Sequence, residues 1–167
     1  MRPLVIWIVE DQDDDARKAY EVALQLAREK WGDEHAKSVK IYRVKVIEWP
    51  PELRLVERAG TRDLAELAKA TPAIVVLDLF DNGVFKAQDF LQALRGWEQS
   101  PTRKRVEQSR SFVILWTVRS NLDDVSLFLR QERERDRRIN FTETKNRVLL
   151  REQLEGFWRQ WEEEKHP

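Results

Sequence analysis

This chain contains short runs of apolar residues, which are separated by stretches in which apolar positions recur every three or four residues. The runs at 4–9, 73–77 and 112–116 are continuous and rich in β-branched side chains, which is typical of strands buried on both faces of a parallel sheet. Residues 41–47 instead alternate apolar and basic side chains, which predicts a strand nearer the edge of the sheet. A weaker run at 139–141 predicts the last strand.

Each predicted strand is followed by a helical pattern. Asp13, Asp14 and Asp15 precede the first one as candidate capping residues, and the pattern stops near Gly32. The other helical patterns cover residues 61–70, 87–97, 122–129 and 150–161. Strand and helix therefore alternate five times. This predicts an α/β domain in which a doubly wound, five-stranded parallel sheet lies between two layers of helices.

The composition excludes several classes of protein and is consistent with the predicted fold. A single domain is expected over residues 1–167, a chain of 20.0 kDa. Charged residues make up 36%, but 30 Lys and Arg balance 30 Asp and Glu, which argues against a uniformly basic nucleic-acid binder. The lack of Cys excludes a disulfide scaffold and a thiolate metal site. The first residues lack the apolar length of a membrane anchor or signal peptide, so a cytoplasmic, membrane-free protein is expected.

Polar side chains stand where the predicted strands end. The set comprises Glu10 and Asp11 after the first strand, Asp78 after the third, Thr117 after the fourth and Lys145 after the fifth. The carboxyl ends of parallel strands meet at one edge of the sheet, where doubly wound folds have their sites. Carboxylates gathered there repel one another unless a cation compensates them, and Mg²⁺ prefers hard oxygen ligands. The sequence therefore predicts a Mg²⁺ site suited to phosphoryl transfer onto Asp78, with Lys145 as a second positive group.

Four short segments match one known family in order along the chain. They are VEDQ at 9–12, VVLDL at 75–79, ILWT at 114–117 and TETK at 142–145. In these segments the sequence resembles the receiver domain of two-component response regulators, and the resemblance extends over the whole chain. It implies a flavodoxin-like (βα)5 fold with three layers, α/β/α, and a stand-alone receiver without an output domain.

The resemblance also implies a role for each residue of the candidate site. Asp78 would be the phospho-acceptor, Thr117 the switch hydroxyl, and Lys145 the residue that pairs with the phosphate. Mg²⁺ would be held by Glu10, Asp11, Asp78 and the backbone carbonyl of Phe80. The phosphoryl group would come from a histidine kinase or a phosphotransfer protein. The signal would leave through contacts with a downstream protein partner or through a homodimer.

Two alternative functions stay open. The loop after Asp78 is short and has no proline, Val118 stands where the family has a small residue, and Asn146 stands where it has a proline. These features favour a receiver-like interaction module that binds a partner protein without phosphorylation. A metal-dependent phosphatase or nuclease would use Glu10, Asp78 and Asp81, but the sequence offers no substrate-binding element for it.

Three further features have both a structural and a functional interpretation. The basic run at 103–105 favours a solvated loop over a nucleic-acid contact, because no base-reading helix or stacking platform accompanies it. Trp158 and Trp161 are interpreted as core residues or anchors for a partner rather than as part of a ligand-binding box. The three aspartates at 13–15 are interpreted as capping, solvated acids rather than as ligands.

Overall fold

Five parallel strands form the sheet at the centre of the fold. The computed structural model describes residues 4–10, 12–44, 72–78, 80–81, 84–85, 90–92, 94–95, 111–117, 123–142 and 144–165. The strands are β1 (Val5–Val9), β2 (Lys40–Val44), β3 (Ile74–Leu77), β4 (Phe112–Trp116) and β5 (Ile139–Thr142). Their order in the sheet is β2-β1-β3-β4-β5, and each neighbouring pair is parallel. This is the doubly wound, flavodoxin-like α/β arrangement that the sequence predicts.

Helices follow the strands, as the alternating pattern predicts. They are α1 (Asp13–Ala36), α2 (Asp123–Arg135) and α3 (Arg147–Lys165). Residues 90–92 and 94–95 are also helical, within the third predicted helix, whereas the second predicted helix and the basic run at 103–105 lie outside the described residues. After β3, Phe80–Asp81 and Val84–Phe85 pair as a short antiparallel ribbon. None of the helices within the described ranges is long and apolar enough to cross a bilayer.

Successive strand residues point to opposite faces of the sheet, and each face carries its own hydrophobic core. On one face, Ile8 and Ile114 pack with buried residues of α1 and α3. On the other face, Trp7 and Leu115 pack with helical residues of 90–92 and 94–95, among them Leu94. The sheet is therefore covered on both sides, which gives the expected three layers.

The position of a strand in the sheet follows from its side chains. β3 is a continuous apolar run, and it is central and buried throughout. β2 alternates and forms one edge: Ile41 and Tyr42 are buried on opposite faces, while Arg43 is partly exposed. The predicted edge strand is confirmed for residues 40–44, and residues 45–47 lie outside the described part of the chain.

Helix α1 is broken at Gly32 rather than ended there. Gly32 has φ 76° and ψ 164°, a left-handed backbone conformation that favours glycine, and helical residues continue to Ala36. Five positions of the predicted apolar stripe are buried: Ala16, Ala19, Ala23, Leu26 and Ala27. Tyr20 and Trp31, which the periodicity also predicts to face inward, are partly buried, and Val22 is buried although the predicted stripe does not include it. The predicted stop is therefore a break between a long helical segment and a single further turn.

Helix α3 buries the five residues that its periodicity predicts: Leu150, Leu154, Phe157, Trp158 and Trp161. Trp158 packs edge to face on Trp31 of α1, with ring centroids 5.2 Å apart. Both indole N–H groups donate to one oxygen of Glu162, at 3.0 Å from Trp158 and 3.1 Å from Trp31. Trp158 and Trp161 are thus core residues that join α3 to α1, and the alternative of partner anchors is wrong.

Candidate functional site

Three of the residues predicted for the site come together beyond the carboxyl ends of the strands. Glu10 follows β1, Asp78 follows the neighbouring β3, and Lys145 follows β5 at the far edge of the sheet. The backbone N–H of Asp78 donates to the carbonyl oxygen of Val9 at 3.0 Å, so the β1–β3 ladder continues into the site. The three side chains meet there, as their strand-end positions predict.

Lys145 is the centre of this group. Its Nζ donates to Glu10 Oε2 at 2.7 Å, to Asp15 Oδ2 at 2.8 Å and to Asp78 Oδ2 at 3.1 Å. An ammonium has three N–H donors, so each donor has one carboxylate acceptor. The side chains of Lys145, Glu10 and Asp78 are 10%, 3% and 11% exposed, and that of Asp15 is 25% exposed. Water therefore screens these charges much less than it screens surface ion pairs. These four residues are called the Lys145 cluster below.

The carboxylates keep Lys145 charged. Burial disfavours an ammonium and by itself acts to lower the pKa of Lys145. The hydrogen bonds to Asp15 and Glu10, with the charges of Glu10 and Asp78, outweigh burial and raise the pKa above its ordinary value. Lys145 is therefore a fixed cation and a hydrogen-bond donor at neutral pH, and it cannot act as a general base there.

Asp15 belongs to the site, which corrects the interpretation of the three aspartates as capping acids. The N-cap residue of α1 is Gln12, and it makes no side-chain capping hydrogen bond. Asp14 is an exposed partner of Arg17, whereas Asp15 reaches Lys145. The pattern contained a signal for this: Asp15 lies four residues before buried Ala19, so both face the sheet side of the helix.

A second residue that the sequence argument missed is Arg43 of β2. Its Nη1 pairs with Asp13, in the first turn of α1, and its Nη2 donates to the backbone carbonyl of Glu10 at 3.4 Å. The backbone N–H of Gln12 donates to Glu10 Oε1 at 3.0 Å. These bonds fix the connection between β1 and α1. The Glu10 carboxylate therefore accepts from the backbone of this connection with one oxygen and from Lys145 with the other.

Thr117 lies at the end of the neighbouring strand, β4. It is buried, and the register that pairs Leu77 with Leu115 brings the ends of β3 and β4 level with each other. The ring of Trp116, just before it, lies 5.6 Å from Lys145 Nζ, within range of a cation–π interaction. Trp116 therefore adds an aromatic wall to the Lys145 cluster.

The donor set suits a hard divalent cation. Three carboxylates and one ammonium leave the Lys145 cluster with two formal negative charges. Mg²⁺ prefers oxygen ligands and usually takes one or two carboxylates, with water completing its octahedron. Within the described residues, no group of three or more His, Cys, Asp and Glu could hold a metal ion, and the carboxylates of the cluster bind Lys145. Glu10 and Asp78 thus fit Mg²⁺ as an oxygen pair, not as a full protein cage.

Three other predicted residues add less to the site. Asp11 lies outside the described residues. Phe80 and Asp81 form the first strand of the short ribbon after Asp78. The metal ligands implied for Asp11 and for the carbonyl of Phe80 therefore stay predictions.

Comparisons with protein-family models, with curated proteins and with solved structures gave no match to this chain. The fold and the Lys145 cluster are therefore the grounds on which a function can be argued. The cluster joins three carboxylates and an ammonium at the edge of a doubly wound sheet where such folds bind ligands.

Proposed function

We propose that this chain is a receiver-like signalling module that accepts a phosphoryl group on Asp78 in a Mg²⁺-dependent reaction. The observation that carries the proposal is the 3.1 Å hydrogen bond from Lys145 Nζ to Asp78 Oδ2, beside a second acid, Glu10. An ammonium next to a carboxylate nucleophile stabilises the charge that gathers on a transferred phosphoryl group. The resemblance of the strand-end segments to receiver domains supports the same chemistry.

The transfer is a displacement at phosphorus. A carboxylate oxygen of Asp78 forms a bond to the phosphorus of the donor, and the bond from phosphorus to the donor's leaving group breaks. With acetyl phosphate the leaving group is acetate, which keeps the electron pair, so no proton or oxidant is needed. Lys145 donates a hydrogen bond to an equatorial oxygen, and the Thr117 hydroxyl is proposed to donate to another.

Glu10 and Asp78 are the described residues that would hold Mg²⁺, with Asp11 and the carbonyl of Phe80 as further ligands by resemblance. When bound, the cation supplies charge neutralisation for the phosphoryl oxygens. The proteins that would supply the group are a histidine kinase or a phosphotransfer protein. Phosphorylation adds about −1.5 to −2 charge at neutral pH. The new charge would redirect Lys145 and Thr117 and alter the surface seen by a downstream partner.

The experiment is intact-mass spectrometry after incubation with acetyl phosphate. We expect one phosphoryl adduct on the wild-type chain with Mg²⁺, and none with EDTA or with Asp78→Asn. Asp14→Asn is the matched control, since it removes one carboxylate from an exposed position in the first turn of α1. It should be modified like the wild type. An adduct that persists in Asp78→Asn contradicts the proposed acceptor.

The second candidate is a receiver-like module that binds its partner without phosphorylation. It is favoured by the saturation of Lys145, whose three donors already have carboxylate acceptors. In this case the cluster is a structural junction between β1, α1, β3 and β5. A folded wild-type chain that takes no phosphoryl group, and whose tryptophan fluorescence does not respond to millimolar Mg²⁺, would favour this candidate.

A further inference from the structure

Asp15 and Asp78 accept hydrogen bonds from the same ammonium. The distance from Lys145 Nζ to Asp15 Oδ2 is 2.8 Å, shorter than the 3.1 Å to Asp78 Oδ2. Charge-assisted hydrogen bonds strengthen as they shorten, so Asp15 holds the ammonium at least as firmly as Asp78 does. Asp15 is fixed by α1, whose next residue, Ala16, is buried in the core.

This sharing opposes the proposed transfer in two ways. A phosphoryl oxygen on Asp78 needs an N–H donor from Lys145, and one of the three donors is bound to Asp15. The carboxylate of Asp15 also stays close to the site, where it repels the anionic donor and the phosphoryl group. Glu10 differs from Asp15 in this respect, because it accepts from the backbone of Gln12 and would serve as a metal ligand, whereas the other oxygen of Asp15 lies 3.7 Å from Nζ of Lys18 on the same helix.

We infer that Asp15 is a positioning residue that restrains phosphoryl transfer, because it occupies one N–H donor of Lys145 and keeps a negative charge beside Asp78. The inference rests on the proposed function and adds a regulatory contact to it. The restraint acts through Lys145, so it would set the rate of transfer rather than decide whether Asp78 is the acceptor. Charge removal at Asp15 should therefore speed the reaction, whereas removal of Lys145 should slow it.

The test compares Asp15→Asn with Asp14→Asn, which removes the same charge from the same helical turn at a side chain that is 84% exposed. Transfer from acetyl phosphate is followed at saturating Mg²⁺ over a range of donor concentrations. We expect the maximal rate of Asp15→Asn to be about five- to tenfold that of Asp14→Asn, from the size of one partly buried charge interaction. Asp15→Glu, which restores the carboxylate, should return the rate toward that of the wild type.

A second readout does not depend on phosphorylation. Lys145 is acylated with an amine-reactive reagent, and the modified peptide is quantified by mass spectrometry, with circular dichroism to verify that each variant is folded. We expect Lys145 to react faster in Asp15→Asn than in Asp14→Asn. The amine reacts in its neutral form, and the loss of the Asp15 charge makes the ammonium less stable relative to that form.

The outcomes separate the inference from the proposed function. Faster transfer and faster acylation in Asp15→Asn support the inference. Wild-type transfer with equal or slower transfer in Asp15→Asn overturns the restraint and leaves the proposed function standing. Absence of transfer in every folded variant overturns both the proposed function and the restraint on it, and the acylation rates then measure the structural hold of Asp15 on Lys145.

Discussion

At the scale of single residues, the Lys145 cluster shows how a buried charge becomes tolerable. Neither the ammonium nor the carboxylates could be buried alone, because an uncompensated charge in the interior costs several kcal/mol. Nζ spreads its three donors over Glu10, Asp15 and Asp78, which come from three different segments. The same residue that would bind a phosphoryl oxygen thus also joins the ends of β1, α1 and β3.

Replacing Lys145 by methionine tests this double role. Lys145→Met leaves three carboxylates without their cation, so the free energy of unfolding should fall by about 3 kcal/mol or more at pH 7. Chemical denaturation followed by tryptophan fluorescence measures the loss. Lys37→Met is the control, because Lys37 is exposed at the end of α1, and a change there should stay within about 0.5 kcal/mol. Equal stability of the two variants would contradict a structural role for the cluster.

The difference in the free energy of unfolding between wild type and Lys145→Met should become smaller at high pH. The folded pKa of Lys145 is raised, so its ammonium stabilises the fold fully below the unfolded pKa of about 10.4. That contribution is lost as pH rises through the folded value. The gap in unfolding free energy should therefore be constant from pH 7 to about 10 and should narrow above it.

At the scale of elements, the first turn of α1 places three consecutive aspartates beside three different cationic partners. Asp13 pairs with Arg43 of β2, Asp14 with Arg17 on the exposed surface, and Asp15 with Lys145 in the site. Successive residues of a helix point about 100° apart, since 3.6 residues make a turn. One helical turn therefore contacts the edge strand, the exposed surface and the candidate site with consecutive residues.

Two glycines in helical surroundings provide a matched pair of tests. Gly32 has φ 76°, and a Cβ there would meet no atom within 4 Å, so Gly32→Ala probes backbone strain alone. It should lower the free energy of unfolding by about 1–2 kcal/mol. Gly156 lies inside α3 with equal space around it, and Gly156→Ala should raise stability by about 0.5–1 kcal/mol. Thermal unfolding measures both, and changes of the same sign would contradict the break in α1.

At the scale of the whole molecule, one sheet supports two hydrophobic cores and carries the site at its carboxyl end. The first core joins the sheet to α1 and α3, and the second joins it to the helical residues Phe90, Leu91 and Leu94. Glu10 and Asp78 follow strands that belong to both cores. The geometry of the site therefore depends on packing on both faces, although the four side chains of the Lys145 cluster are all charged.

This coupling predicts a single cooperative transition. Leu154→Ala removes a fully buried side chain from the first core and should cost about 2–5 kcal/mol. Val148→Ala, at a position that is 63% exposed in the same helix, should be nearly neutral. Tryptophan fluorescence and far-UV circular dichroism should report coincident denaturation curves in each variant. Separate curves would mean that the two cores unfold independently.

The sequence by itself determined the order and type of the five sheet strands and of helices α1, α2 and α3, and the strand ends at which Glu10, Asp78, Thr117 and Lys145 would stand. It did not predict the short ribbon of Phe80–Asp81 and Val84–Phe85. Periodicity carries this information because burial on one face or both must repeat with the period of a helix or a strand. It predicted the buried face of α3 residue by residue and the edge position of β2.

Only the tertiary structure decided which charges share a partner. Helical spacing places Asp15 on the same face as Ala19, but it does not name a partner, and the packing of α1 against the sheet selects Lys145 for Asp15 and Arg43 for Asp13. These pairs join residues 130 positions apart in one case and span α1 and β2 in the other, so no local pattern encodes them. The side chains meet because the crossovers fold the strand ends onto one edge, and electrostatics then pairs whichever charges lie within reach.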